Sequence, residues 1–407
     1  MEAEKSPTAG SAGASTRERF GQSIWQTALA GSKGPAAVPK AKPIVLPQAA
    51  LNSIIEALRD RYEVLGWVPG AGAVALTSVQ SAADLALGYR DQQQPGLYQL
   101  QGPEPGQAGS YASFSHGSDS PKKFLHPSRL TLFEGSIAQG PSEPAFPTQP
   151  YAFLGMRSCD LAATLVNDRT FLGAPADPYY AARRAASFVV ASSCTHSGGT
   201  CFCVSMGTGP RPLSGFDLRM TELGSELLLE PGSPAGADLL QQIGGRPATA
   251  EDLAEAERLV KQTADSQTKR MQTENLPAIL MANLDHPYWD AMDDWCVGCT
   301  NCTIVCPTCF CYDVVDHLDP TMTKVTRQRY WDSCFTQKFT VLPDYNPRAA
   351  LRARYRHWLN HKLSYWTEQF GCFGCIGCGR CITWCPVRID ITDVIDHIRS
   401  TSRGTVL

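Results

Sequence analysis

Two cysteine runs carry most of the chemistry this chain can do. The first is Cys296-Val-Gly-Cys299-Thr-Asn-Cys302-Thr-Ile-Val-Cys306-Pro307, and the second is Cys375-Ile-Gly-Cys378-Gly-Arg-Cys381-Ile-Thr-Trp-Cys385-Pro386. Both follow C-x2-C-x2-C-x3-C-P, the spacing of bacterial 4Fe–4S ferredoxins. Two-residue gaps let consecutive thiolates curl around one face of a cuboidal cluster, with Gly298 and Gly377 permitting close backbone approach. The three-residue gap turns the fourth cysteine away from that cluster, and the proline stops the local helix. The expected ligation is therefore crossed. Cys296, Cys299, Cys302 and Cys385 would hold one 4Fe–4S cluster, and Cys375, Cys378, Cys381 and Cys306 the other. Structural zinc also uses C-x2-C pairs, but it needs two pairs per ion rather than sets of four ending in Cys-Pro.

Eight further cysteines lie outside this scheme, out of 16 in the chain. Cys159, Cys194, Cys201 and Cys203 occur upstream, and Cys159 and Cys194 each follow a strand-like stretch. Two adjacent strand ends could bring the four together as a third cluster site; the alternative is small buried thiols in a tight loop. Cys309, Cys311, Cys334 and Cys372 are close to the runs and are expected to pack against the clusters or donate weak hydrogen bonds to their sulfurs. Ile304, Val305, Ile382 and Trp384 are expected to keep water away.

Other constellations point to no catalytic site. Gly70-Ala-Gly72-Ala-Val-Ala75 fits G-x-G-x-x-A formally, but it sits between two strand-like stretches and reads as a hairpin turn. His357 and His361 have a metal-binding spacing but lack the glutamate of a metalloprotease, so a solvated helix face is expected. Asp177-Pro178-Tyr179-Tyr180 with Arg183-Arg184 could form a docking surface, but reads rather as a helix start carrying solvated charges.

The elements that must position these residues divide the chain into three. Residues 1–41 read as a flexible tail, within which Phe20, Ile24, Trp25 and Leu29 fall at roughly helical spacing. Residues 42–285 read as a mixed α/β domain. A helix is expected over Leu51–Tyr62, and strands over Val74–Ser78, Tyr151–Met156, Ser187–Ala191 and Leu227–Glu230. Another helix should begin after Thr249 as its cap. Residues 286–407 read as an α-helical ferredoxin-type domain with two 4Fe–4S clusters, including a helix from Pro347 through Gln369. The fold class is α+β.

Charge and hydropathy narrow the function further. Acidic residues number 39 against 36 basic ones, a balance that speaks against a nucleic-acid binder or a polybasic membrane adapter. No apolar core of the secretory-signal type follows Met1, and no run of about 18 apolar residues would span a membrane. A cysteine-rich chain without export belongs in a reducing compartment, so a cytoplasmic location is expected.

Several blocks resemble a known family. They are Phe153-Leu-Gly-Met-Arg-Ser-Cys-Asp160, Asp177-Pro-Tyr-Tyr-Ala-Ala-Arg-Arg184, Gly198-Gly-Thr-Cys-Phe-Cys-Val-Ser-Met-Gly-Thr-Gly-Pro210, Cys306-Pro-Thr-Cys-Phe-Cys311, Trp331-Asp-Ser-Cys334 and Cys378-Gly-Arg-Cys-Ile-Thr-Trp-Cys-Pro386. Together they look like the β subunit of cytoplasmic NAD(P)-linked nickel–iron hydrogenases of the sulfhydrogenase type. The A subunit of anaerobic sulfite reductase is similar. The resemblance covers about residues 45 to 398 and leaves the tail unexplained. It implies an electron relay between a flavin- and 2Fe–2S-bearing NAD(P)H reductase subunit and a hydrogenase small subunit with its nickel–iron large partner. In the sulfite-reductase relatives the acceptor is a sirohaem subunit, and a freestanding ferredoxin-like carrier is the remaining alternative. Arg388 stands where glycine is expected, a departure that bears on the local turn and not on ligation.

Overall fold

The computed structural model of the chain describes residues 41–104, 109–115, 117–136, 138–142 and 149–402. The tail and its candidate docking residues Phe20, Ile24, Trp25 and Leu29 lie outside them.

The α/β module is built on eight strands: β1 (Ile44–Pro47), β2 (Glu63–Pro69), β3 (Val74–Ser78), β8 (Tyr151–Arg157), β9 (Phe188–Ser192), β10 (Leu218–Leu223), β11 (Glu226–Pro231) and β12 (Arg246–Pro247). Their order is β12-β1-β11-β10-β9-β8-β2-β3, with the central run β2-β8-β9-β10 parallel. Successive residues of a strand face opposite sides, and here both sides are covered. Leu65, Phe153 and Val189 pack on one side with helix α2 (Ser158–Phe171). Val64, Ala152, Leu154 and Val190 pack on the other with α1 (Leu51–Arg59) and α4 (Pro234–Ile243). Near-continuous apolar strands are what a doubly covered parallel sheet requires. The Gly70–Ala73 turn joins β2 to β3 as an antiparallel hairpin.

The helix after Thr249 is α5 (Ala250–Ser266), with the Thr249 hydroxyl accepting from the Asp252 amide and the Asp252 carboxylate accepting from the Thr249 amide. Asp177 likewise caps α3 (Pro178–Ala185) through the Tyr180 amide. The α3 arginines are not solvated as expected. Arg183 and Arg184 are buried, and Arg184 pairs with buried Asp168 at 3.1 Å.

The cysteine-rich module is mostly helical around Leu280, Trp289, Trp358, Leu359, Leu363, Ile395 and Ile398. Its long helix starts later than Pro347 and is interrupted. It comprises α6 (Leu351–Asn360), a π-helical turn over His361–Tyr365 and a final α-helical segment over Trp366–Phe370, closed by left-handed Gly371. The wider π turn puts Lys362, Leu363 and Ser364 inside together, and such turns recur at functional sites. One feature was not legible as strand in the sequence. β13 (Tyr312–Leu318) and β14 (Lys324–Trp331) form a hairpin whose second strand pairs with β6 (Arg129–Ser136), and β7 (Gly140–Ser142) completes a four-stranded sheet. The hairpin ties the cysteine-rich module to the α/β module. β4 (Arg90–Gln94) and β5 (Leu97–Gln101) pair as a separate two-stranded sheet. Among the described residues no helix is long and apolar enough to cross a membrane.

Candidate metal centre

Each cysteine run folds as a left-handed loop leading into one helical turn. Gly298 and Thr300 have φ of 63° and 69° before the turn Asn301–Ile304, and Gly377 and Gly379 have φ of 68° and 77° before the turn Arg380–Thr383. The Asn301 side-chain amide donates to the Trp384 carbonyl at 3.1 Å, joining the two turns.

The runs exchange their last cysteines across this junction. One cavity is lined by Cys296, Cys299 and Cys302 together with Cys385, and it also reaches Cys381. A second is lined by Cys375, Cys378 and Cys381 together with Cys306, Thr308 and Lys362. Among the described residues no three His, Cys, Asp or Glu groups converge as a single metal ion would require. Four thiols line the second cavity, and the first has four besides the shared Cys381, the number that a cuboidal cluster takes at one sulfur per iron.

The two surroundings differ. Cys299 is exposed, and Val297 and Trp295 beside the first cavity are 61% and 47% exposed. Ile304 is also exposed, contrary to its expected shielding role. Val305 and Ile382 are buried, and Trp384 stacks on Tyr98 with centroids 5.3 Å apart. Burial pushes the Cys302 and Cys381 thiols well above the ordinary range and Cys375 up to about 12. These thiols are therefore protonated until a metal displaces the protons.

Cys306 goes the other way. A hydrogen bond from the Cys309 thiol, opposed by burial, combines with nearby Lys362 to hold it well below the thiol range. The Lys362 ammonium donates to the Cys306 sulfur at 3.2 Å and to the Thr308 hydroxyl at 3.0 Å. Burial alone would lower Lys362, but Cys306 and Cys309 raise it well above normal, so it is a buried cation. A second buried lysine, Lys122, donates to the carbonyls of Ile304, Cys306 and Cys309 at 2.9–3.2 Å and lies 3.9 Å over the Trp331 ring. Burial brings it down to about 8. Neither lysine was identifiable from the sequence, because nothing local distinguishes a buried lysine from a solvated one.

Cys159, Cys194, Cys201 and Cys203 also line one cavity, together with Cys378. Of the remaining four, Cys372 and Cys334 are buried in apolar packing, and a hydrogen bond from Cys334 draws Cys311 down to about 7. His357 and His361 stack at 5.9 Å and are half-buried rather than solvated, with burial lowering both to about 4.

Residues 295–389 match the family model described as a 4Fe-4S dicluster domain. The chain is 34% identical over 282 residues to sulfhydrogenase 2 subunit beta of Pyrococcus furiosus, a match covering 69% of this chain and 82% of that protein. No solved structure matches. A paired cysteine centre of the 4Fe–4S type and this extent of identity together show that the chain belongs to the sulfhydrogenase beta-subunit family.

Proposed function

We propose that this chain is the electron-relay subunit of a nickel–iron hydrogenase complex. It links a flavin- and 2Fe–2S-bearing NAD(P)H reductase subunit to the hydrogenase small subunit and its nickel–iron large partner. Residues 286–407 hold the relay and residues 42–285 dock the partners.

The observation that carries this reading is the exchange of Cys385 and Cys306 between the two cysteine runs, which sets two cavities side by side with Cys381 reaching both. Cys296, Cys299, Cys302 and Cys385 are the ligands at one site, and Cys375, Cys378, Cys381 and Cys306 at the other. When bound, 4Fe–4S clusters exchange one electron at a time. The chain does the rest. Buried Ile382 and Val305 exclude water, Lys362 offsets the negative charge gathered around Cys306, and the crossed cysteines fix the two sites at a constant separation. The similarity to a sulfhydrogenase subunit supports a hydrogenase partner over a sirohaem sulfite reductase or a freestanding carrier.

The test is an anaerobic purification of the complex, in which nickel and flavin should accompany the chain. Cys299→Ser should remove about four irons per chain and stop NAD(P)H-linked hydrogen turnover, while dye-linked hydrogen oxidation by the partner persists. Sirohaem in place of nickel, or full iron and full turnover in the variant, would overturn the reading.

A further inference from the structure

We infer that Cys159, Cys194, Cys201 and Cys203 hold a third iron–sulfur cluster of the 4Fe–4S type, and that the three sites stand in a row with the Cys306/Cys375/Cys378/Cys381 site in the middle. The inference builds on the proposed ligation of the other two sites.

Topology assembles the four thiols. Cys159 opens α2 directly after β8, and Cys194 follows β9, the strand that pairs in parallel with β8. Both therefore lie at the carboxyl ends of neighbouring parallel strands, where open α/β sheets form their binding crevices. The loop carrying Cys201 and Cys203 folds back over these ends, with the Cys194 amide bonded to the Pro210 carbonyl at 3.0 Å. All four thiols are free, and all line one cavity.

The surroundings are those of an anion rather than of inert thiols. Arg157 lines the same cavity and is 4% exposed; its Nη2 donates to the Phe114 carbonyl, while among the described residues its buried Nη1 has no hydrogen-bond partner. A buried donor without an acceptor is destabilising, and four cysteinate sulfurs around a cluster would supply the missing negative charge. The Gln267 amide donates to the Cys203 sulfur at 3.1 Å, and the Ser115 hydroxyl lies 3.9 Å from Cys201. Donors to ligand sulfur are a recurring feature of iron–sulfur sites. Arg380, 1% exposed, pairs with fully buried Asp160 at 2.8 Å next to Cys159 and places a second cation between this site and the middle one. Small buried thiols would account for neither the cavity that all four line nor the unsatisfied Nη1 of Arg157.

The order of the sites follows from shared walls. Cys381 lines the first and middle cavities, and Cys378 lines the middle cavity and this one. The two loops that meet there touch through backbone. The Phe202 amide donates to the Gly377 carbonyl at 2.9 Å, and a Cβ on Gly377 would fall 2.7 Å from the Cys203 nitrogen. No side chain separates the loops at this point.

Iron and acid-labile sulfide in the anaerobically purified full-length protein, with low-temperature EPR of the reduced form, test the inference. About twelve irons per chain are expected, and Cys194→Ala should lower the ratio to near two thirds of wild type while keeping the signals of the other two clusters. Cys194 is only half-buried, so this variant has the best prospect of folding; circular dichroism and the retained signals verify that it has. Cys203→Ala should give the same loss. Cys299→Ala serves as the control for the first site, and unchanged iron there would sink the ligation reading itself. Unchanged iron in Cys194→Ala and Cys203→Ala, with Cys299→Ala showing its loss, would overturn the third site alone.

Discussion

The Lys362 ammonium lies 3.2 Å from the Cys306 sulfur, donated from a π-helical turn 56 residues further along the chain. This contact puts a buried positive charge against one of the two crossed cysteines, whereas among the described residues the sulfur of its counterpart Cys385 accepts from the Ile389 amide at 3.3 Å. The asymmetry bears directly on redox behaviour, because a cation beside a site favours the state carrying one more electron.

Replacing Lys362 by Met should therefore lower the reduction potential of the site held by Cys306, Cys375, Cys378 and Cys381. The expected shift is about 120 mV, since a unit charge about 6 Å away is worth roughly 2.8 kcal/mol at an effective dielectric of 20 and 59 mV is a tenfold change for one electron. Lys362→Arg should retain most of the original value. EPR-monitored redox titration measures both, and a potential unchanged in the Met variant would remove Lys362 from this role.

Gly377→Ala should cost more than about 2 kcal/mol, combining left-handed strain with overpacking. The residue has φ of 68°, and its Cβ would meet the Phe202 carbonyl at 2.6 Å and the Cys203 backbone at 2.7 Å. A fall in thermal midpoint together with loss of iron is the expected result. A variant as stable and as iron-rich as wild type would show that the two loops are not held together there.

Arg388 has φ of 62°, the left-handed region that glycine occupies without penalty. Arg388→Gly should raise stability by roughly 0.5–1 kcal/mol, the relief of strain less the entropy cost of glycine. Iron content should stay the same, because the residue supplies no sulfur. A lower melting temperature would mean that the arginine side chain contributes more than its backbone costs.

His126 is fully buried, and among the described residues neither ring nitrogen has a hydrogen-bond partner. Burial, with Arg329, Lys122 and Arg183 nearby, lowers it to about 2. An unfolded histidine takes up a proton near pH 6.5, so the native state refuses a proton that the unfolded chain accepts. The stability contributed by the neutral ring is present above that pH and declines below it, by about 1.3 kcal/mol between pH 7 and 5.5. His126→Phe should remove this component, so its melting temperature should gain on wild type as the pH falls. Parallel curves for the two proteins across that interval would refute the assignment.

Much of this protein was legible in local spacing. The C-x2-C-x2-C-x3-C-P runs specified the class of cofactor because their geometry is set within a dozen residues. The apolar stretches at Val74–Ser78 and Tyr151–Met156 marked strands, and Thr249 marked a helix start, for the same reason: hydrophobic periodicity and capping are short-range properties. The β13–β14 hairpin was hidden among cysteine-rich helical sequence, since its second strand is satisfied by β6, nearly two hundred residues earlier.

The spacing of the runs already predicts the crossed grouping of their cysteines, whereas the tertiary structure decided how the four upstream cysteines gather and which charges lie beside each site. Cys159 and Cys203 come together because two parallel strands end side by side and a later loop closes over them. Lys362 turns inward because a π turn widens its helix, Arg184 is buried against Asp168, and Arg183 is buried beside Tyr151, Asp177 and Tyr179. Burial and pairing of a charge depend on residues distant in sequence, so no local pattern records them. The two runs determined what is bound; the packing around them determined how the sites are arranged and electrically tuned.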